Sequence, residues 1–302
     1  MTALPQAASA QFSALGTYVF VAVTDHRHLE DVVDITAGIL AAVDRACSRF
    51  RDDSDLRRVN AGAGTWVKAD PLLIAAVDAA VHAARDTDGL IDPLLGRVMV
   101  SMGYDRDFRS LPLVGRPATT VAPRPGAWRD IAFSDDAIRI PEGTALDLGS
   151  IGKAWASDLA AVTIGNHLGF DALISVGGDI AVSGSLEWPV DISERPDQDP
   201  DQTVWIREAG LATSSTAVRR WQAGDVVRHH LIDPRTGASA PDVWRTVSAI
   251  GPTCGSANTS STAAIVLGDG ALPWLEARGI SARLVSTQGV VHTVGQWPEE
   301  SE

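Results

Sequence analysis

Apolar residues recur along this chain with two periods, and each period marks a different kind of element. In residues 29–47, Leu29, Val32, Val33, Ile35, Ile39, Leu40 and Val43 fall at helical spacing and predict a helix. A second helix is predicted over 71–86, with Pro71 in its first turn and Gly89 just beyond its end. A third runs from about 153 to 166, and a fourth begins near Ser256 and ends at Gly268. The β-rich run from Tyr18 to Val23, preceded by a turn at Gly16, predicts a strand. "ALISVGGDIAVSG" reads as a strand, a turn at Gly177-Gly178 and a second strand. Further strands are predicted at 130–134, 136–140, 203–207, 226–232, 281–286 and 289–294, whereas 106–128 and 186–203 read as loops. Strands and helices alternate without a regular βαβ rhythm, so the fold class is α+β rather than doubly wound. No repeat or linker divides the chain. The reading is a single domain over 11–296, between a flexible N-terminus at 1–10 and an acidic tail at 297–302.

Composition narrows the class. Of 302 residues, 45% are hydrophobic and 21% charged, as in ordinary globular proteins. No apolar run approaches the roughly 20 residues of a membrane helix. The opening "MTALPQAASA" has neither a basic n-region nor a sustained apolar core, so no secretory signal and a cytoplasmic location are expected. Cys47 and Cys254 lie too far apart in sequence for a disulfide framework or zinc pattern, and read as two reduced, buried thiols. The net charge of −13 argues against nucleic-acid binding. It also repels anionic ligands on average, so a phosphate ligand needs local help from amides, a lysine or a divalent cation.

Four stretches concentrate Gly, Asp and Ser/Thr where strands meet turns or helices: 147–153, 177–179, 229–237 and 256–262. The first, within "ALDLGSIGKAW", is not a Walker A loop, because only two residues separate Gly149 from Gly152 and Ala154 follows Lys153. Residues 177–179 suit a hairpin turn, Asp233-Pro234 a type I turn, and His230 alone a structural histidine. Asn258 and Thr262 are four apart and share a helical face, which suits oxygen donors to a hard cation such as Mg²⁺. The bland alternative is that Ser256 or Asn258 caps the helix while Thr262 bonds back to the preceding turn.

Taken in order, these stretches resemble the ApbE family of FAD:protein FMN transferases. The resemblance runs through "FSALGT" (12–17), "SRFRDDSDLRRVN" (48–60), "TDGLIDPLLG…MGY" (87–104) and "DLGSIGK" (147–153). It continues through "ISVGGDI" (174–180), "ATS" (212–214), "HLIDPRTG" (230–237) and "ANTSSTAAIVLG" (257–268). It implies an ApbE-like fold of mixed or antiparallel sheets with flanking helices, in two lobes with the FAD site between them. The implied activity is Mg²⁺-dependent cleavage of the FAD pyrophosphate, with FMN passed to a Thr or Ser hydroxyl of an acceptor protein and AMP released. FAD binding with little transfer, and FAD hydrolysis to FMN and AMP, are the alternatives.

The resemblance also implies roles residue by residue. Asp147, Lys153 and His230 match catalytic positions, with Lys153 beside the pyrophosphate and His230 moving a proton. Leu15, Leu90, Ile91, Asp92, Gly177, Gly178, Asp179, Ile232 and Ser261 match positions that line the FAD pocket, together with Asp147, Lys153 and His230. Asn258, Thr262 and the backbone carbonyl of Ser150 match metal ligands. The chain departs from the family pattern at Asn258, where Asp is usual, at Leu15, where Met is usual, and at Gly152 and Ala154, where Ala and Gly are usual. An amide oxygen brings no charge, so the substitution at 258 predicts weaker Mg²⁺ binding.

Overall fold

Eight strands form one sheet in which spatial order follows chain order and every neighbouring pair is antiparallel. They are β1 (Ala8–Ala14), β2 (Thr17–Val23), β3 (Ala172–Val176), β4 (Asp179–Ser183), β5 (Gly210–Ser215), β6 (Trp244–Gly251), β7 (Ser281–Ser286) and β8 (Val291–Val294). This computed structural model describes residues 7–111, 114–115, 119, 121–194 and 199–299. Successive side chains of a strand point to opposite faces, so the central strands feed two cores. Val19, Val21, Val23, Ile174 and Val176 pack with the helices, whereas Ala22 and Leu173 pack with Trp188, Val190 and Val204.

The helical face is built by α1 (Leu29–Cys47), α2 (Pro71–Asp86), α3 (Gly152–Leu168) and α4 (Cys254–Leu267). The bounds of α1 and α2 are those predicted. Asp70 caps α2 by accepting from the Leu72 N–H, and Pro71 fills a first-turn position whose N–H needs no helical partner. Helix α3 lies on β3 and β4, and α4 lies on β5 and β6. The cap of α4 is Thr253, in a reciprocal capping box with Ser256, not Ser256 or Asn258. Asn258 is thereby left free in the second turn.

Other predictions need correction. The segment 186–203 is not all loop: Trp188–Ile192 is a strand paired with Gln202–Ile206 and covers the second face of the sheet. Its Pro189 sits in a two-stranded ribbon, where a missing N–H is tolerated. Residues 8–10, placed in a flexible N-terminus, belong to β1, which pairs with β2 over its whole length. Trp297, placed in the acidic tail, is buried and donates its indole N–H to Gln202 Oε1 at 2.9 Å. Residues 1–6 and 300–302 of those two predicted tails lie outside the described residues, as do 195–198 and parts of 112–120. The strand predicted at 226–232 ends at His229, in a hairpin with Arg220–Ala223. Those predicted at 130–134 and 136–140 shrink to Ala132–Phe133 and Ala137–Arg139. Both cysteines are free and buried, as expected. Among the described residues no helix is long and apolar enough to cross a membrane.

Gly210 decides how closely α4 approaches the sheet. A Cβ at this position would stand 2.1 Å from the Cys254 nitrogen and 2.4 Å from its Cα, and neither backbone atom can move alone. Gly210→Ala is expected to cost about 1–3 kcal/mol, the range for overpacked sites. A thermal melt checks this, and an unchanged Tm would mean that α4 can shift without penalty.

Candidate functional site

A cavity of about 850 Å³ opens between the main sheet and a smaller apolar unit containing Met99, Tyr104, Trp221 and Ile232. Its size lies toward the upper end of the roughly 300–1,000 Å³ typical of ligand pockets. The predicted site residues converge on it from separate elements. Leu15 comes from the β1–β2 turn, and Leu90, Ile91 and Asp92 from the segment after α2. Asp147 and Ser150 precede α3, and Lys153 lies in its first turn. Gly177, Gly178 and Asp179 form the β3–β4 turn, His230 and Ile232 follow the 220–229 hairpin, and Asn258 and Thr262 share one face of α4. Ser261 does not line the cavity; it is fully buried behind it.

Backbone geometry shapes two walls. Gly177 and Gly178 both have positive φ (66° and 93°), as a two-residue hairpin turn requires. A Cβ on Gly177 would also strike Thr17 Oγ1 at 2.6 Å. Leu15 has φ +50°, a left-handed conformation that costs a branched side chain of order 1–2 kcal/mol. The turn holds Leu15 in that conformation at the cavity edge.

Asp179 is the polar centre of the site. Its carboxylate is buried, receives Lys153 Nζ on Oδ2 at 3.0 Å and accepts from Asn258 Nδ2 on Oδ1 at 3.3 Å. The Asp179 carbonyl accepts from Ser157 Oγ of α3 at 3.0 Å. Helices α3 and α4 are fixed to each other by a second carboxylate, Asp158, which accepts the Cys254 and Gly255 N–H groups, each at 2.8 Å. An anion at a helix N-terminus is favoured by the exposed amides there.

The hydroxyls beside Asn258 form a chain whose direction can be read by counting protons. Ser261 Oγ donates to the Asn258 carbonyl at 3.1 Å, so its single proton is spent. The 2.9 Å contact between Ser214 and Ser261 must then use the proton of Ser214. The remaining 2.9 Å contact uses the proton of Thr262, which donates to Ser214. Thr262 Oγ1 therefore keeps lone pairs for another partner. Asn258 Oδ1 is buried with no hydrogen-bond partner among the described residues. Together these oxygens fit a hard cation, although all the matched ligands are neutral. Among the described residues no group of three or more His, Cys, Asp and Glu side chains is gathered as for a metal.

Residues that sequence reasoning did not single out complete the lining. Arg49 makes an ion pair with Asp147 at 2.6 Å, donates to the Tyr104 carbonyl at 2.6 Å, and lies over the rings of Phe50 and Tyr104. Nothing local in "SRFRDD" distinguishes this arginine from a solvated one. Arg219 also lines the cavity and has no acidic partner within 4.0 Å among the described residues. Ser214 could be found only through the short "ATS" stretch. Burial, then the charges of Arg219 and Lys153, push the His230 imidazole down to about 3, so it is neutral at physiological pH.

Burial also raises the Asp92 carboxyl from 3.8 to about 6, against the opposing hydrogen bond from the Leu94 N–H. A folded-state value above the unfolded one means that the folded protein binds this proton more tightly. The stabilisation is full below pH 3.8 and is lost as pH rises through 6. Asp92→Asn keeps an acceptor for Leu94 without the charge. It is expected to raise stability at pH 8 by about 3 kcal/mol, with the gain vanishing near pH 4. Urea melts at the two pH values test this; an equal effect at both would exclude ionisation as the cause.

The same fold is found among solved structures, and the chain has relatives by sequence. The ApbE family matches residues 15–298 of this chain. An FAD:protein FMN transferase of Treponema pallidum (strain Nichols) is 30% identical, over 80% of this chain and 72% of its own. One from Vibrio cholerae serotype O1 is 25% identical, over 82% and 75%. Among solved structures, the ApbE protein of Thermotoga maritima superposes with a TM-score of 0.80 at 22% identity, covering 96% of this chain and 97% of that one. The apo flavinyl transferase ApbE of Pseudomonas stutzeri gives 0.78 at 22%, covering 95% and 94%. The chain belongs to the ApbE family of flavin transferases.

Proposed function

We propose that this protein is a Mg²⁺-dependent FAD:protein FMN transferase, acting on a Thr or Ser hydroxyl of an acceptor protein with release of AMP. The observation that carries the reading is the convergence on one cavity of Lys153, Arg219, His230, and Asn258 and Thr262 with their unused oxygen lone pairs. In a protein of net charge −13, such a gathering is what a pyrophosphate needs. Mg²⁺, held by Asn258 Oδ1, Thr262 Oγ1 and the Ser150 carbonyl, would supply charge withdrawal from the phosphate oxygens.

The chain's own groups do the rest. Lys153 and Arg219 orient the pyrophosphate and balance the charge that builds on the departing AMP oxygen. Arg49 and Asp147 brace each other in the cavity wall, and Leu90, Ile91 and Ile232 provide apolar contact for the ring systems of the dinucleotide. The acceptor oxygen forms a bond to the FMN phosphorus as the bond from that phosphorus to the AMP oxygen breaks. The hydroxyl proton passes to neutral His230. Burial is the larger cause of the depressed imidazole; phosphate charge beside Lys153 and Arg219 offsets the smaller share that the two cations contribute.

Incubation with FAD, Mg²⁺ and an acceptor protein is expected to add one FMN to the acceptor by mass and to release AMP. Intact FAD with every divalent ion tried would refute the reading, and free FMN without labelled acceptor would indicate hydrolysis instead. His230→Gln is expected to lower kcat by about 10²–10⁴-fold, the usual contribution of a positioned base. FAD affinity, followed by flavin fluorescence, should change far less; parallel losses in both would make His230 a binding residue only.

A further inference from the structure

The contacts of Asp179 bear on how a site without the usual aspartate can hold a cation. An ionised carboxylate only accepts hydrogen bonds. Its Oδ1 therefore dictates that Asn258 turns its NH₂ group toward Asp179, at 3.3 Å. The amide oxygen is forced to the other side, where it is buried and has no partner among the described residues, on a side chain that lines the cavity. A buried carbonyl oxygen left without a partner is unfavourable, and a ligand that binds it removes that cost. An aspartate at 258 would instead bring a second carboxylate against Asp179, and like charges at that distance resist joint ionisation. The negative charge has moved one hydrogen bond back: Asn258 is the contact and Asp179 the charge behind it.

We propose that Asp179 is a positioning residue of the cation site, orienting and polarising the Asn258 amide, and that Lys153 opposes it before substrate arrives. This rests on the FAD and Mg²⁺ reading above and assigns the residue that makes the amide serve there. Lys153 Nζ sits 3.0 Å from Asp179 Oδ2, so its charge offsets the field that Asp179 sends through the amide. Once Lys153 turns to a phosphate, that offset is removed. An outer-shell group that orients a ligand typically accounts for 10–100-fold in metal affinity.

The test uses the full chain with Mn²⁺ as probe, titrated by the EPR signal of the free ion, with and without FAD. Flavin quenching and Tm are recorded for each variant. Asp179→Asn lets the 258 amide turn either way and is expected to weaken Mn²⁺ binding about 10–100-fold while FAD still quenches. The exchange variant, Asp179→Asn with Asn258→Asp, restores one carboxylate and one amide across the same contact, and affinity should return to within a few-fold of the original. Lys153→Gln breaks the same ion pair from its other end, and without FAD it should hold or tighten Mn²⁺ binding. A role for Asp179 only as the counter-ion of Lys153 predicts equal losses in Asp179→Asn and Lys153→Gln, and that result would overturn the proposal. So would an Asp179→Asn variant with unchanged Mn²⁺ affinity, or a folded exchange variant that recovers nothing. Should the unaltered protein quench no flavin and bind no Mn²⁺, the functional reading itself fails.

Discussion

The buried carboxylate of Asp179 is the constraint from which the site is assembled. It stands at the first residue of β4 and ties α3 to the sheet through Lys153 and Ser157, and α4 through Asn258. Taking such a charge out of water costs several kcal/mol unless its lone pairs are filled, and here Lys153 and Asn258 each donate to one carboxylate oxygen. Removing either would leave a buried charge underserved, so the geometry of Lys153, Asn258 and Asp179 is mutually enforced.

That arrangement depends in turn on how α3 and α4 lie together. The sheet runs in chain order, but the segment between β2 and β3 spans about half the chain and contains α1, α2 and α3. Asp158 joins the start of α4 to the middle of α3, and Gly210 lets that start press against β5. Small and hydroxyl side chains dominate α4, and ten of its residues are buried, so it is a packing element on most of its circumference. Only a helix held on several sides can present an amide oxygen and a threonine hydroxyl with fixed orientation.

Electrostatics explains why an acidic protein can offer this cavity to an anion. Three of the cations that line it are paired: Lys153 with Asp179, Arg49 with Asp147, and Arg51 with Asp44 and Asp53. Such pairs keep the cations ordered without a large net field, and a phosphate can exchange for a carboxylate partner when it enters. Arg219, which has no acidic partner within reach among the described residues, and neutral His230 lie beside them. The chemistry is local, and the bulk charge of −13 serves solubility.

Periodicity in the sequence determined α1 and α2 to the residue, and the bounds of α3 and α4 within about two, because apolar spacing and caps act over a few residues. Motif order determined family membership, and every site residue it singled out except Ser261 lines the same cavity, since each motif marks a strand end or helix start facing that crevice. The tertiary structure alone decided the rest. The strand at Trp188–Ile192 is invisible to local pattern because its partner and the sheet face it covers are contributed by other segments. Ser261 could not be told from a cavity residue, because its place behind Ser214 depends on how β5 meets α4. The direction of the hydroxyl chain, the Arg49–Asp147 pair and the orientation of the Asn258 amide are likewise set by contacts between segments tens of residues apart. Sequence specifies which polar groups are present. Only the packed fold determines which of their protons and lone pairs are already used.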